Sequence, residues 1–306
     1  MRAGDEAVLT RRAAPGARAG AGAAPGHHGE ILQGAFDIGD SGPPCHGLVT
    51  LPCRRFASQA TYVPSAAALT VTPAWKCKAR RAAALVLAGL RLPVTGALEI
   101  SATAPVARGL GSSTSDVLAA IRAVADAFGL TIPPADCAVL AVAAEGASDP
   151  VMFGDVPILF AQRRGLVLAE LAARLPAFEL VSVDITALRG VVHTDEQVLP
   201  DYGPAQVREF GELLAALRAA LAAGDVAGLA AVATRSALIN ATVYQWDSSP
   251  VELIAGESGA LGWQLAHSGS VAGLIFPAGD AAADRAIETA GRAGFAGAWR
   301  YRAGAG

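Results

Sequence analysis

Lysine is almost missing from this chain: of 24 basic residues only Lys76 and Lys78 are lysine, and the rest are arginine. With the alanine excess this reads as a bias of the coding sequence, and it makes the two lysines conspicuous. No lysine follows a glycine-rich loop, which excludes a Walker A nucleotide site. Charge is sparse as well, 17% of residues with a net of −3, and the basic residues are scattered, which gives no footprint for nucleic acid. The four cysteines, Cys45, Cys53, Cys77 and Cys137, form no Cys-x-x-Cys pair and are expected to be reduced thiols of a cytoplasmic protein. Cys45, His46 and Cys53 match no standard zinc spacing. No apolar run is expected to span a membrane, since Ala82 to Leu92 is short and broken by Gly89 and Arg91. The N-terminus has arginines without a signal-peptide core, so export is not expected. What is abundant is apolar surface: 53% hydrophobic residues over 306 positions can bury the core of one large or two modest domains.

The most informative stretch is Pro105-Val106-Ala107-Arg108-Gly109-Leu110-Gly111-Ser112-Ser113-Thr114. An alternating run, Leu98 to Ala102, precedes it and predicts a strand. Val117, Leu118, Ile121, Val124, Ala125 and Phe128 follow at helical spacing. A glycine loop that opens a helix gathers unpaired N–H groups and the positive end of the helix dipole, which suits a phosphate. Ser112, Ser113 and Thr114 add hydroxyls for phosphate oxygens or Mg²⁺. The same residues also describe an ordinary serine-capped helix start.

Three other stretches bear on function. Ala23 to Gly34 contains Pro25-Gly26-His27-His28-Gly29-Glu30 and Gln33, and alone reads as a turn-rich strand pair. A helix over Ala135 to Glu145 should stop at Gly146 and deliver Glu145 and Asp149 into a loop. There they either converge on a metal and a hydroxyl or serve as a surface Glu and a capping Asp. His267-Ser268-Gly269-Ser270 precedes the apolar Val271 to Phe276, and proximity in sequence does not make its His and Ser a catalytic pair.

The loop string resembles the second signature motif of the GHMP kinases, Pro-x-x-x-Gly-Leu-Gly-Ser-Ser-Ala, with Thr114 in place of the usual Ala. Pro25 to Gly34 is similar to the first motif, in the Pro-Gly-x-x-Gly-Glu-x-x-Gln-Gly form of bacterial L-threonine kinases. Glu145 to Asp149 resembles Glu-Gly-x-x-Asp of homoserine and threonine kinases, and Ala266 to Phe276 resembles the third motif. The resemblance covers about residues 22 to 299. It implies an α+β, two-domain GHMP kinase fold: an N-terminal ribosomal-protein-S5-like domain over 22–171 and a C-terminal ferredoxin-like domain over 172–306, behind a mobile extension over 1–21.

It also implies an ATP- and Mg²⁺-dependent kinase of a small hydroxy amino acid, closest to an L-threonine kinase. Homoserine, another hydroxy amino acid, or a non-catalytic binding role stay open, as does a homodimer. Pro105, Arg108, Gly109, Leu110, Gly111, Ser112, Ser113 and Thr114 would hold ATP, with Lys76 or Lys78 beside it. Ser113 and Glu145 would hold Mg²⁺, and Asp149 would orient or deprotonate the acceptor. His27, His28, Glu30, Gln33, Ser268 and Gly269 would line the substrate side. Two histidines stand where smaller residues are the family norm, which bears on the acceptor.

Overall fold

The computed structural model describes residues 18–39, 42–105, 108–189, 199–266 and 270–304. Among these the chain runs β1 (Gly20–Phe36), β2 (Cys45–Ala68), β3 (Thr70–Thr72), α1 (Cys77–Gly89), β4 (Thr95–Ala102), α2 (Ser112–Ala127) and α3 (Pro134–Glu145). A 3-10 turn (Pro150–Phe153) follows, then β5 (Ile158–Ala161), β6 (Leu166–Glu170), β7 (Phe178–Asp184) and α4 (Thr186–Arg189). The rest is α5 (Pro204–Ala223), α6 (Val226–Val243), α7 (Ser249–Ser258), β8 (Gly262–Leu265), β9 (Val271–Pro277), α8 (Ala282–Arg292) and β10 (Trp299–Ala303).

The strands join in the order β10-β7-β9-β8-β1-β2-β4-β3, with the β5–β6 hairpin attached to β2. β3 and β4 pair in parallel, and the other pairings are antiparallel. The two halves of the sheet meet at one paired position, Glu30 of β1 opposite Leu265 of β8. Strand β1 therefore carries the architecture. Its first residues pack with α2, and Ala24 joins the core of Leu98, Ile100, Val117, Ile121, Val124 and Phe128. Its last residues, Ile31, Leu32, Ala35 and Phe36, enter a second core with Phe210, Leu217 and Leu229 of α5 and α6. A third core of Trp263, Leu274, Phe276, Ile254 and Ala286 closes the far end.

The first stretch is thus one long strand instead of the expected strand pair. Its register against β2 shifts between Pro25 and Gly26, between His27 and Glu30, and again before Leu32. Such breaks in register, of which the β-bulge is the common form, bend a strand and re-aim its side chains. Gly29 sits in the middle of this segment at φ +62, and a Cβ there would lie 2.3 Å from Gln264 Oε1, so the bend requires glycine. Ordered pairing begins at Gly20, two residues before the expected start.

Elsewhere local pattern and structure agree. In β4 the even residues Leu98 and Ile100 are buried and Ala97, Glu99 and Ser101 exposed, the period of a strand with one covered face. Helix α3 begins behind Pro133 and ends at Gly146. One expectation needs correction: α6, at 18 residues and mean hydropathy 1.4, is long and apolar enough to cross a membrane. Half of it is buried against β1 and β8, so its apolar character is accounted for by packing.

Candidate active site

Strand β4 ends at Ala102, and the chain crosses to α2 through a loop whose last residue, Gly111, adopts φ 69, ψ 24. That left-handed conformation turns the chain into the helix. A Cβ there would also lie 2.1 Å from His27 Cδ2, so the loop can close on the histidine only with glycine. The first helical bond runs from the Ser115 N–H to the Gly111 carbonyl, 2.9 Å. The amides of Ser112, Ser113 and Thr114 precede it and lack intrahelical partners, and no side chain caps the helix. These residues make a corner of the kind that suits an anion, with Ser112 and Ser113 partly exposed and Thr114 buried.

Helix α3 brings Glu145 to that corner. Ser113 Oγ donates to Glu145 Oε2 at 2.6 Å, and Thr114 Oγ1 donates to Oε1 at 2.8 Å. Burial raises the Glu145 carboxyl to a pKa of about 7, against the two hydroxyls, which favour the charged form, and with the neighbouring Asp149 raising it further. Asp149 follows four residues on, held where the Ser148 N–H bonds the Gln162 carbonyl at 2.9 Å. Its Oδ2 lies 3.3 Å from Thr114 Oγ1 and 2.9 Å from His27 Nε2. Glu30 Oε1 stands 3.9 Å from His27 Nδ1. His27, Glu30 and Asp149 are buried, and one ligating atom of each lies within 4.8 Å of the others.

Ser113, Glu145, Asp149, His27 and Glu30 therefore converge beside the helix N-terminus. The donors at Ser113 and Glu145 are hard oxygens, as Mg²⁺ requires, and the uncapped amides suit phosphate oxygens. The other expected site residues are placed differently. The Thr114 hydroxyl bridges Glu145 and Asp149, so its side chain serves the acidic pair. Leu110 is 4% exposed and packs on Ala266 and Val271 between Phe56 and Trp299, fastening the loop to the C-terminal half. Arg108 bonds Asp184 at the end of β7 and Thr186 Oγ1, away from the loop amides, while Pro105 is exposed at the loop's start.

Lys76 is buried, its Nζ 2.5 Å from Asp116 Oδ2, with Ser58 Oγ donating to Oδ1 at 2.7 Å. This ion pair anchors the start of α1 to α2. Lys78 is half-buried on the first turn of α1. His28 turns to other neighbours: its Nε2 pairs with Ser182 Oγ at 2.7 Å, and Gln264 Nε2 donates to its Nδ1 at 2.6 Å. Trp299 and Tyr301 pack on its ring, and burial pushes its pKa down to about 3. Gln33 faces α6, where its N–H bonds Ser236 Oγ at 3.0 Å and its carbonyl accepts from Asn240 at 3.0 Å. Ser268 and Gly269 lie outside the described residues.

Sequence reasoning missed the buried pairs Lys76–Asp116 and His28–Ser182. A residue 40 or 154 positions away leaves no local signal.

Residues 75–161, from before α1 to the end of β5, match the family model "GHMP kinases N terminal domain". A comparison with curated proteins returns no match in sequence. Among solved structures, the mevalonate kinase of methicillin-resistant Staphylococcus aureus superposes with a TM-score of 0.61 at 18% identity, covering 93% of this chain and 98% of its own. The homoserine kinase of Cytophaga hutchinsonii gives 0.63 at 14% identity, covering 93% and 94%. The Lactococcus lactis galactokinase, solved with galactose, gives 0.64 at 14% identity, covering 93% of each chain. At such identities the likeness is one of fold, and it runs the length of the chain. Residues 75–161, which include the start of α2 and the acidic pair just described, thus resemble the N-terminal domain of GHMP kinases, and the chain shares its fold over nearly its whole length with a mevalonate kinase, a homoserine kinase and a galactokinase.

Proposed function

We propose that this protein transfers the terminal phosphoryl group of ATP to the side-chain hydroxyl of a small amino acid, with L-threonine as the acceptor and O-phospho-L-threonine as the product. The observation that carries this reading is the convergence of Ser113, Glu145 and Asp149 at the uncapped N-terminus of α2. Phosphoryl transfer needs an anion cradle, neutralisation of charge on the β and γ phosphates, and an aligned acceptor. The amides from Gly109 to Ser113 are the cradle. Ser113 and Glu145 would hold Mg²⁺, which would supply the charge neutralisation. Asp149 aligns the acceptor hydroxyl and accepts its proton late in the transfer.

Positioning then provides most of the rate, with little demand on proton abstraction. The acceptor class rests on the resemblance of Pro25 to Gly34 to the L-threonine kinase form of the first motif. The test is phosphorus NMR of the products after incubation with Mg·ATP and L-threonine, L-serine, L-homoserine or related amino alcohols. A phosphomonoester from threonine in preference to the others is expected. Preference for homoserine would replace the acceptor, and ATP binding without transfer to any alcohol would refute the kinase reading.

A further inference from the structure

His27 touches both the glycine loop and Asp149. Its backbone N–H donates to the Leu110 carbonyl inside the phosphate loop at 3.3 Å. Its ring edge lies where any side chain at Gly111 would have to go. Its Nε2 meets Asp149 Oδ2 at 2.9 Å, and its Nδ1 faces Glu30 at 3.9 Å. With Asp149 ionised, its carboxylate accepts and the imidazole Nε2–H is the donor in this contact. His27 is 1% exposed, with its ring edge against Gly111 and its Nε2 against Asp149. Of the two side chains described at Asp149 Oδ2, His27 is the nearer, since the Thr114 hydroxyl stands at 3.3 Å and is closer to Glu145.

We infer that His27 is a positioning residue that locks the Asp149 carboxylate in register with the phosphate loop, a role that rests on the kinase reading. Movement of the loop is passed through the imidazole to Asp149, so nucleotide and acceptor are aligned together. Misplacing a reacting group by about 1 Å costs on the order of 10²-fold in rate, which is the size of effect this contact controls.

The experiment uses the full chain and the acceptor chosen by the product assay. His27→Leu removes the donor, His27→Gln restores an N–H near the position of Nε2, and His27→Asn keeps an amide too short to reach Asp149. At saturating ATP, His27→Leu should lower kcat on the order of 10²-fold while the KM for ATP changes less than about 3-fold. His27→Gln should return kcat to within about 10-fold of the parent, and His27→Asn should not. Where the leucine variant fails to fold, the Gln and Asn pair decides alone.

Equal kcat in the Gln and Asn variants overturns the inference, as does a rise in acceptor KM with kcat unchanged, which would make His27 a direct substrate contact. A stoichiometric divalent metal retained by the parent and lost from His27→Gln, measured by elemental analysis, also overturns it, because the triad would then be a ligand set. A parent enzyme inactive on every alcohol refutes the kinase reading, and this role falls with it. An active parent indifferent to all three substitutions refutes the His27 role alone.

Discussion

Two sets of polar groups lie under the surface of this protein, and the neighbours His27 and His28 belong to different ones. His28, with Ser182 and Gln264, is sealed among Trp299 and Tyr301, and its ring nitrogens have partners on β7 and β8. Lys76, Asp116 and Ser58 form a similar closed group between α1, α2 and β2. His27 belongs instead with Asp149, Glu145, Ser113 and Thr114, where hydroxyls and carboxylates crowd together next to uncapped helix amides. The closed groups hold elements together through hydrogen bonds that run between strands or helices. In the crowded group burial raises the Glu145 carboxyl to about 7, with the nearby Asp149 adding to the rise. One bulged strand feeds both sets.

The largest test of this distinction is Lys76→Met. It leaves Asp116 buried and uncompensated, and should destabilise the fold by about 3–5 kcal/mol in denaturant titration while the folded fraction keeps its turnover. Lost turnover with stability intact would move Lys76 into the nucleotide site and break the comparison. Ser113→Ala and Glu145→Ala should behave in the opposite way, lowering the rate with Mg·ATP on the order of 10²-fold or more in a folded protein. Near-normal kinetics would remove both from the metal role.

His28→Leu should cost about 1–3 kcal/mol, since Ser182 and Gln264 lose a buried partner, with KM for the acceptor unchanged. A selective rise in that KM would return His28 to the substrate pocket. The smallest effect is in pH dependence. Because the Glu145 carboxyl titrates near 7 when folded and near 4.5 when unfolded, the native state holds the extra proton between these values. Its contribution to stability is complete below about pH 4.5 and fades as pH rises through 7. Glu145→Gln should flatten that part of the ligand-free stability profile, and an unchanged slope would show that the carboxyl is ionised throughout.

Much of the molecule was legible before any coordinates. Alternation at Leu98 to Ala102, the glycine turn and the 3.6-residue spacing from Val117 marked β4, the loop and α2. The glycine stop at Gly146 marked the end of α3. The meeting of Ser113 with Glu145 was anticipated only through the motif resemblance. The first stretch misled as a strand pair because closely spaced glycines signal turns equally well when they serve bulges.

The amino-acid order thus determined the local elements and the anion-binding corner, because those depend on backbone preferences and apolar period within a few turns of chain. Only the tertiary structure decided which buried polar residue meets which: His27 against Asp149, His28 against Ser182, Lys76 against Asp116. Each choice joins positions 40 to 154 residues apart, and desolvation lets a buried polar group keep its place only where packing happens to bring a partner.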